Sequence, residues 1–349
     1  MVIPAHKALD EQGLWASAPC RIDAGGTWDI KAMAFPFVHI SPTTVNIAID
    51  LRTTVYIFPF DKGWLRVEAE GMGKPQVCPS DHVPLRGKFA LIYAPLLHFG
   101  INGARVVIRS EAPVKASLGG SSAAVVALLK AISKGMRKAG QKALTSNQIL
   151  TFAYHFEDAI SGGNCGLQDH AAAVFGGVNQ WIWHYQDHKK PYKKIRLLSP
   201  QGEKALSQHL LVAYTGTQHI SSQINRKWVR DFLAGQTRPG WLEANKITHR
   251  LADRIKRQDW AGAAICLREE MAIRRRITPE ALTKKSAVLI SEAESLGCGA
   301  RFTGAGAGGC IWAIGELEKI SRLKVLWAKR LKKMNGYILD CSVDWKGVR

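Results

Sequence analysis

The chain is short of acid. Against 48 lysines and arginines stand 28 aspartates and glutamates, a formal charge of +20 over 349 residues. A surface of one sign attracts polyanions (nucleic acid, nucleotides, phosphorylated sugars, acidic lipid), and charge alone does not choose among them. The basic residues are dispersed, with clusters at Lys189-Lys190, Lys193-Lys194, Arg274-Arg275-Arg276 and along residues 329–333. Such runs ordinarily dress solvated faces and helix ends. No aromatic signature of an RNA-binding sheet and no basic recognition helix accompanies them, so nucleic acid is not an expected partner. Cys-x-x-Cys pairs are also missing. The seven cysteines, Cys20, Cys78, Cys165, Cys266, Cys298, Cys310 and Cys341, fit no zinc framework and suggest buried thiols in a reducing compartment. No apolar run approaches the roughly 18 residues of a membrane-spanning helix, so no membrane partner is expected. Residues 1–15 carry His6, Lys7, Asp10 and Glu11 and no apolar centre, so a secretory signal is not expected and a cytoplasmic location is.

What is present is globular. Hydrophobic residues make up 46% and charged residues 22%, enough for a core, and the length suits about two domains. Strand signals fall at residues 43–58, 106–108, 178–183, 209–214, 300–302, 310–314 and 337–343. Helical patterns cover residues 123–136, 146–160, 167–174, 221–276 and 317–334. Another helix is expected over residues 278–296, with Thr278 as its cap and Pro279 in its first turn. Strands and helices alternate in both halves, an α+β or α/β class, with the best boundary near residues 190–206.

The glycine-rich segments carry the chemistry. Residues 17–29 read as a strand through Arg21-Ile22-Asp23, a tight turn at Gly25-Gly26, then Thr27-Trp28-Asp29. A loop over residues 113–122 ends Ser117-Leu118-Gly119-Gly120-Ser121-Ser122 and leads into an apolar helix. Its glycines let amides approach an anion, and the helix start supplies unpaired donors for a polyphosphate. The same residues also fit a plain serine cap after a turn. In residues 157–177, Asp169 lies among small apolar residues twelve positions after Glu157. The pair suits a metal ligand plus a general base, or Asp169 simply caps a short helix. Gly304, Gly306 and Gly309 have the GxGxxG spacing, but a strand rather than a helix follows, which excludes a dinucleotide fingerprint. Gly73-Lys74-Pro75 and Gly87-Lys88-Phe89 lack the Ser or Thr of a P-loop.

Together and in this order, these segments resemble the GHMP kinase superfamily, which includes galactokinase, homoserine, mevalonate and phosphomevalonate kinases. Within it the chain is similar to the heptose-phosphate kinase and fucokinase branch of sugar kinases. The residues that carry this are Arg21-Ile22-Asp23-Ala24-Gly25-Gly26, the block from Gly166-Leu167-Gln168-Asp169 to Gly176-Gly177, the galactokinase-like Asn164-Cys165-Gly166, and Tyr214-Thr215-Gly216. The resemblance implies an α+β fold of two domains. Residues 1–205 would bind ATP and hold a left-handed βαβ unit, and residues 206–349 would be ferredoxin-like, with the site between them. It implies ATP and Mg²⁺ as cofactors, a sugar or sugar phosphate as acceptor, and a monomer or homodimer.

By the same resemblance, Ser117, Leu118, Gly119, Gly120, Ser121 and Ser122 cradle phosphate. Ser121 or Ser122, with Glu157, holds the metal. Asp169 accepts the proton of the attacking hydroxyl, and Arg21 stabilises charge beside it. Asp29, Gly25, Gly26, Gly304 and Gly306 border the acceptor, Asp29 by anchoring hydroxyls. The chain departs from the pattern at Ser117, where glycine is usual, and at Lys115, where glycine or a small residue is common. It departs again in the order Thr27-Trp28 and at His219, where the branch usually carries arginine. A fucokinase- or galactokinase-like sugar 1-kinase, a silent sugar and ATP sensor of the same fold, and a mevalonate- or homoserine-type kinase stand as alternatives, the last opposed by the block at residues 166–177.

Overall fold

Strand residues at i and i+2 share a face, so a strand that must bury both faces reads as an unbroken apolar run. β1 (Leu14–Ala24) is such a strand, buried almost throughout. It pairs antiparallel along β2 (Thr43–Pro59), where the sequence suggested several strands and one long strand forms. The structure, a computed structural model, describes residues 12–187, 190–218 and 222–349, with side chains of residues 222 and 223 left aside. His219 and Lys189, singled out in the sequence, lie outside them. The short helix α1 (Lys31–Ala34) follows β1. On the far edge of β2, β5 (Ala104–Ser110) and β6 (Val178–Trp183) take opposite ends. β3 (Trp64–Ala69), β4 (Gln76–Pro79) and β7 (Tyr192–Arg196) complete a seven-stranded sheet of order β4-β3-β5-β2-β6-β7, with β1 off that path. β3 and β5 run parallel, joined through α2 (Ala90–His98), which is the βαβ unit.

α3 (Gly120–Lys138) lies across β1 and β2. Every residue from Ser122 to Leu129 is buried, as its apolar circumference requires. α4 (Ser146–Ser161) opens with a capping box at Thr145 and Gln148. α5 (Gln168–Phe175) packs against α3, α4 and β1.

The expected boundary at residues 205/206 falls inside α6 (Pro200–Gln208), after which β8 (Leu210–Tyr214) starts a second sheet. Residues 221–276 form three helices: α7 (Ser222–Leu233), α8 (Arg238–Lys256) and α9 (Trp260–Ile277). The helix expected from Thr278 is split: Thr278 and Pro279 open only a single 3-10 turn, Pro279–Ala281, and the α-helix begins later, as α10 (Lys284–Ser295) with Thr283 as cap. Thr278 is already spent on closing α9: its hydroxyl donates to the Arg274 carbonyl and accepts from Arg274 Nε. β9 (Gly299–Phe302), β10 (Cys310–Ile314), α11 (Leu317–Lys332) and β11 (Tyr337–Leu339) complete the half. The all-antiparallel order β11-β8-β10-β9, with helices between first and second and between third and fourth strands, is ferredoxin-like. The last ten residues return to the first sheet. Arg52 pairs with Asp344 and donates to the carbonyls of Ser17 and Gly347.

The two halves meet through buried charge. Arg301 on β9 pairs with Asp23 of β1 at 2.8 Å and with Glu270 of α9 at 3.2 Å, and all three side chains are essentially inaccessible. Removing one member strands the others unpaired in the interior. Arg301→Leu is therefore expected to cost about 3–5 kcal/mol in urea unfolding, the range for a broken buried pair. A loss under about 1 kcal/mol, as for a surface pair, would mean that the contact carries little.

Candidate active site

Arg21 and Asp23 sit two residues apart on β1 and so face the same way. Asp23 accepts from Arg301 and from the Gly304 amide at 2.7 Å. Burial alone would raise its pKa, but Arg301, Arg21 and that amide hold it below the ordinary carboxylate range. Arg21 reaches the other way. Its Nε and Nη2 grip both oxygens of Asp169 at 2.7 and 2.8 Å, and Nη1 donates to the Ser117 carbonyl at 2.7 Å. Burial opposes the guanidinium charge, yet Asp169 and Asp23 overcome it and push its pKa up. Asp169 is the second residue of α5, and its carboxylate goes to Arg21 and not to an amide, so it is no helix cap. Arg21 is 5% and Asp169 25% exposed at the side chain, so the carboxylate faces open space from a buried grip.

The loop at residues 117–122 arrives at the same point. Gly119, in the left-handed region at φ 73°, begins α3 with no side-chain cap. A methyl added there would lie 3.4 Å from the Asp169 carboxylate and 3.5 Å from Arg21 Cγ. The uncapped amides of the first turn, with Gly120 and exposed Ser121 at the surface, are donors for an anion. Leu118 is buried, and its carbonyl accepts from the Arg21 amide. Ser117 occupies the left-handed region at φ 62° and Lys115 at φ 56°, conformations that cost a side-chain-bearing residue about 1–2 kcal/mol. The Ser117 hydroxyl is engaged within the protein. It donates to the Thr303 carbonyl at 2.9 Å, tying the loop to the third glycine segment. Gly304 lies so close that a methyl would meet Ser117 Oγ at 2.7 Å and Arg21 Nη2 at 3.2 Å. Gly306 packs on Ala281 and Phe302.

Ser122 and Glu157 come together, Ser122 Oγ donating to Glu157 Oε2 at 2.8 Å. His170 Nε2 lies 2.7 Å from the same oxygen. Burial would raise the Glu157 pKa, but His170, Ser122 and Arg21 pull it below the usual range. A charged carboxylate beside a hydroxyl, next to an amide cradle, is a hard-oxygen set that fits Mg²⁺.

The residues expected at the acceptor end sit deeper. Gly25 and Gly26 carry the chain flush against the second half. A methyl at Gly25 would strike Thr248 at 2.7 Å, and one at Gly26 would strike Trp241 at 2.3 Å and Arg274 at 2.6 Å. Asp29 is 2% exposed, walled in by Gly166 and Gln168. It accepts from the Gln168 amide at 3.0 Å and from Gln168 Nε2 at 3.1 Å, which fixes the first turn of α5. Sequence reasoning missed Arg301 and Glu270, and it read Arg274 as part of a solvated basic run, whereas that side chain is fully buried against Glu270 and two tryptophans. The available signal was a charge inside the strand Ala300-Arg301-Phe302, because an inward charge demands a partner.

Burial lifts the Asp29 pKa to about 7 against the Gln168 amide bond. The folded state thus keeps a proton that the unfolded chain releases nearer pH 4, and stability falls as pH rises through that window. Asp29→Asn removes the cost, so its Tm relative to wild type is expected to be higher at about pH 8 than at about pH 5. Thermal melts giving the same difference at both values would refute a protonated Asp29.

The sequence profile of the GHMP kinases N terminal domain matches residues 88–177, and that of the GHMP kinases C terminal matches residues 251–333. The mevalonate kinase of Thermococcus onnurineus is 26% identical over 324 residues, covering 86% of this chain and 88% of that protein. Among solved structures, the galactokinase of Lactococcus lactis, complexed with galactose, superposes with a TM-score of 0.74 at 13% identity, over 97% of this chain and 95% of that one. The D-glycero-D-manno-heptose 1-phosphate kinase of Bacteriodes thetaiotaomicron gives 0.71 at 18%, over 96% and 98%. Both structural likenesses concern the fold. Among the described residues no helix is long and apolar enough to cross a membrane. With both domain profiles in place, in the order of the two sheets, the chain belongs to the GHMP kinase family and is a phosphotransferase with an alcohol acceptor.

Proposed function

We propose that the chain transfers the γ-phosphoryl group of ATP, with Mg²⁺, to a hydroxyl of a sugar or sugar phosphate, a heptose phosphate or related sugar foremost. One observation carries the reading: the Asp169 carboxylate, held at two points by Arg21, borders the uncapped start of α3 at Gly119. Phosphoryl transfer asks a protein mainly for in-line positioning and charge neutralisation. Amides of Gly120, Ser121 and Ser122 would receive the phosphates. Ser122 Oγ and Glu157 would hold the magnesium, which supplies charge neutralisation when bound. Ser122, bonded to Glu157, is the stronger candidate of the two serines, and Ser121 is exposed. Asp169 would take the proton of the acceptor hydroxyl, and Arg21 would both orient that carboxylate and offset developing negative charge.

A second reading has its own support. The curated relatives at 25–26% identity are mevalonate kinases. Asp29, moreover, has its oxygens turned to Gln168 and not to an open cleft, which removes one reason for a sugar. For the sugar stand the block at residues 166–177 and the run Asn164-Cys165-Gly166. An acceptor panel of free sugars, sugar phosphates and mevalonate, read by ADP release and by phosphorus NMR of the product, separates them. Turnover confined to mevalonate would retire the sugar reading. Nucleotide binding without turnover of any acceptor would favour a sensor.

Asp169→Asn is expected to lower kcat by about 10²–10⁴-fold, the usual contribution of a general base, with nucleotide affinity unchanged. Full activity would remove Asp169 from the chemistry. Ser122→Ala should raise the Mg²⁺ concentration needed for half-maximal rate, and Ser121→Ala should shift it far less. The reverse order in a magnesium titration would mean that the metal is held elsewhere.

A further inference from the structure

Glu157, which accepts from Ser122, also lies near two softer donors. Cys165 Sγ, a ring nitrogen of His170 and a carboxylate oxygen of Glu157 all lie within 4.8 Å of one another, with His170 Nε2 2.7 Å from Glu157 Oε2. We infer that these three side chains form a second cation site, for a borderline-soft divalent ion of the Zn²⁺ class, which shares Glu157 with the magnesium position.

The donor set argues the class. Thiol and imidazole select zinc and its neighbours, whereas Mg²⁺ prefers oxygen and keeps its waters. Three protein ligands leave a fourth tetrahedral position open, as zinc permits. A second observation points the same way. The His170 ring is fully buried, yet neither nitrogen makes a well-aligned hydrogen bond, and Nδ1 has no hydrogen-bond partner among the described residues. Buried imidazole nitrogens are rarely left so, and one facing a carboxylate and a thiol invites a cation. The field there is negative: burial first, then Glu157, Asp169, Asp29 and Asp158, push the Cys165 thiol pKa well above its ordinary value, so the surroundings attract a cation while the ion itself has to drive off the thiol proton.

The geometry can close. Ligand atoms around tetrahedral zinc are separated by roughly 3.3–3.7 Å, given bonds of about 2.0–2.3 Å. His170 Nε2 and Glu157 Oε2, now 2.7 Å apart, would open by under about 1 Å. Cys165 would move inward, and it sits in the loop of Gly162, Gly163 and Gly166, where backbone adjustment is cheap. On binding, the Cys165 thiol loses its proton to water and the thiolate becomes the ligand. Where the phosphotransfer reading holds, an ion seated here withdraws Glu157 from Ser122 and so opposes magnesium.

Cobalt titration of the full-length, nucleotide-free protein tests the site without any turnover. Co²⁺ is expected to give a sulfur-to-cobalt band in the near ultraviolet with visible bands of a four-coordinate ion, and Zn²⁺ should abolish both. Cys165→Ser, an oxygen-for-sulfur exchange at a half-buried loop position, should remove the sulfur band while far-ultraviolet circular dichroism matches the wild type. It should also weaken Zn²⁺ binding by at least the about 10–100-fold that loss even of an outer-shell partner costs. His170→Gln should weaken it likewise. No sulfur band, or a band that survives Cys165→Ser, overturns the proposal. A separate arm adds Zn²⁺ to the kinase assay at fixed Mg²⁺ and ATP, where turnover should fall in the wild type and fall less in Cys165→Ser. If no acceptor is turned over, that arm fails with the kinase reading, and the cobalt spectra still decide the site.

Discussion

The buried run of charge from Asp23 through Arg301 and Glu270 to Arg274 is the constraint on which the rest depends. Its members come from β1, β9 and α9, so it spans the two sheets. A buried ion network stabilises little against well-packed apolar residues of the same size, because desolvation offsets attraction. What it does here is fix position. Asp23 can satisfy Arg301 and the Gly304 amide only where β1 and the third glycine segment meet. Arg21, on the same face two residues earlier, is thereby aimed at Asp169. Arg274, at the far end, lies with its guanidinium 4.5 Å from the ring centres of both Trp228 and Trp241. Burial lowers its pKa to about 10, still well charged at neutral pH, and the aromatic faces take the place of missing acceptors.

The loops around this network are bent further than their residues prefer. Lys115, Ser117 and Ala307 all take positive φ without being glycine. Strain of this kind persists where surrounding bonds over-determine the backbone. At Ser117 those bonds are visible: its carbonyl accepts from Arg21 and its hydroxyl donates to Thr303. The resemblance predicts glycine at that position, and serine there exchanges backbone ease for a tie between the loop before α3 and the third segment. Gly309 completes the tie, since a methyl there would strike the Ala116 carbonyl at 2.5 Å.

Local pattern made α3 legible, because a helix apolar all round must be buried; whether a serine caps it was open in the sequence, and the structure leaves its first amides uncapped behind Gly119. Local pattern also made the rejection of a dinucleotide fold legible, since β10 follows Gly309 directly. Thr278 misled because cap residues look alike from sequence, and only the bond back to Arg274 decides that this one ends a helix. Gly25 and Gly26 read as ligand-facing glycines. They serve instead the close approach of α8 and α9, a contact more than 200 residues distant in sequence that no local pattern records. Asp29 was legible as an acid of consequence but not as a buried one, because its wall is made by Gly166 and Gln168.

α5 shows how one short helix can serve two carboxylates. Asp29 accepts from the Gln168 amide and Asn46 donates to the Gln168 carbonyl at 3.0 Å, so the first turn is pinned from the turn after β1 and from β2. Successive helical residues point about 100° apart, so Asp169 and His170 cannot face the same way. Asp169 turns to Arg21 and open space, and His170 turns inward to Glu157. The Asp169 and Glu157 carboxylates, the proposed proton acceptor and metal ligand, are therefore both tied to this one turn. A rotation of α5 large enough to free one would displace the other, so these two groups move together or not at all.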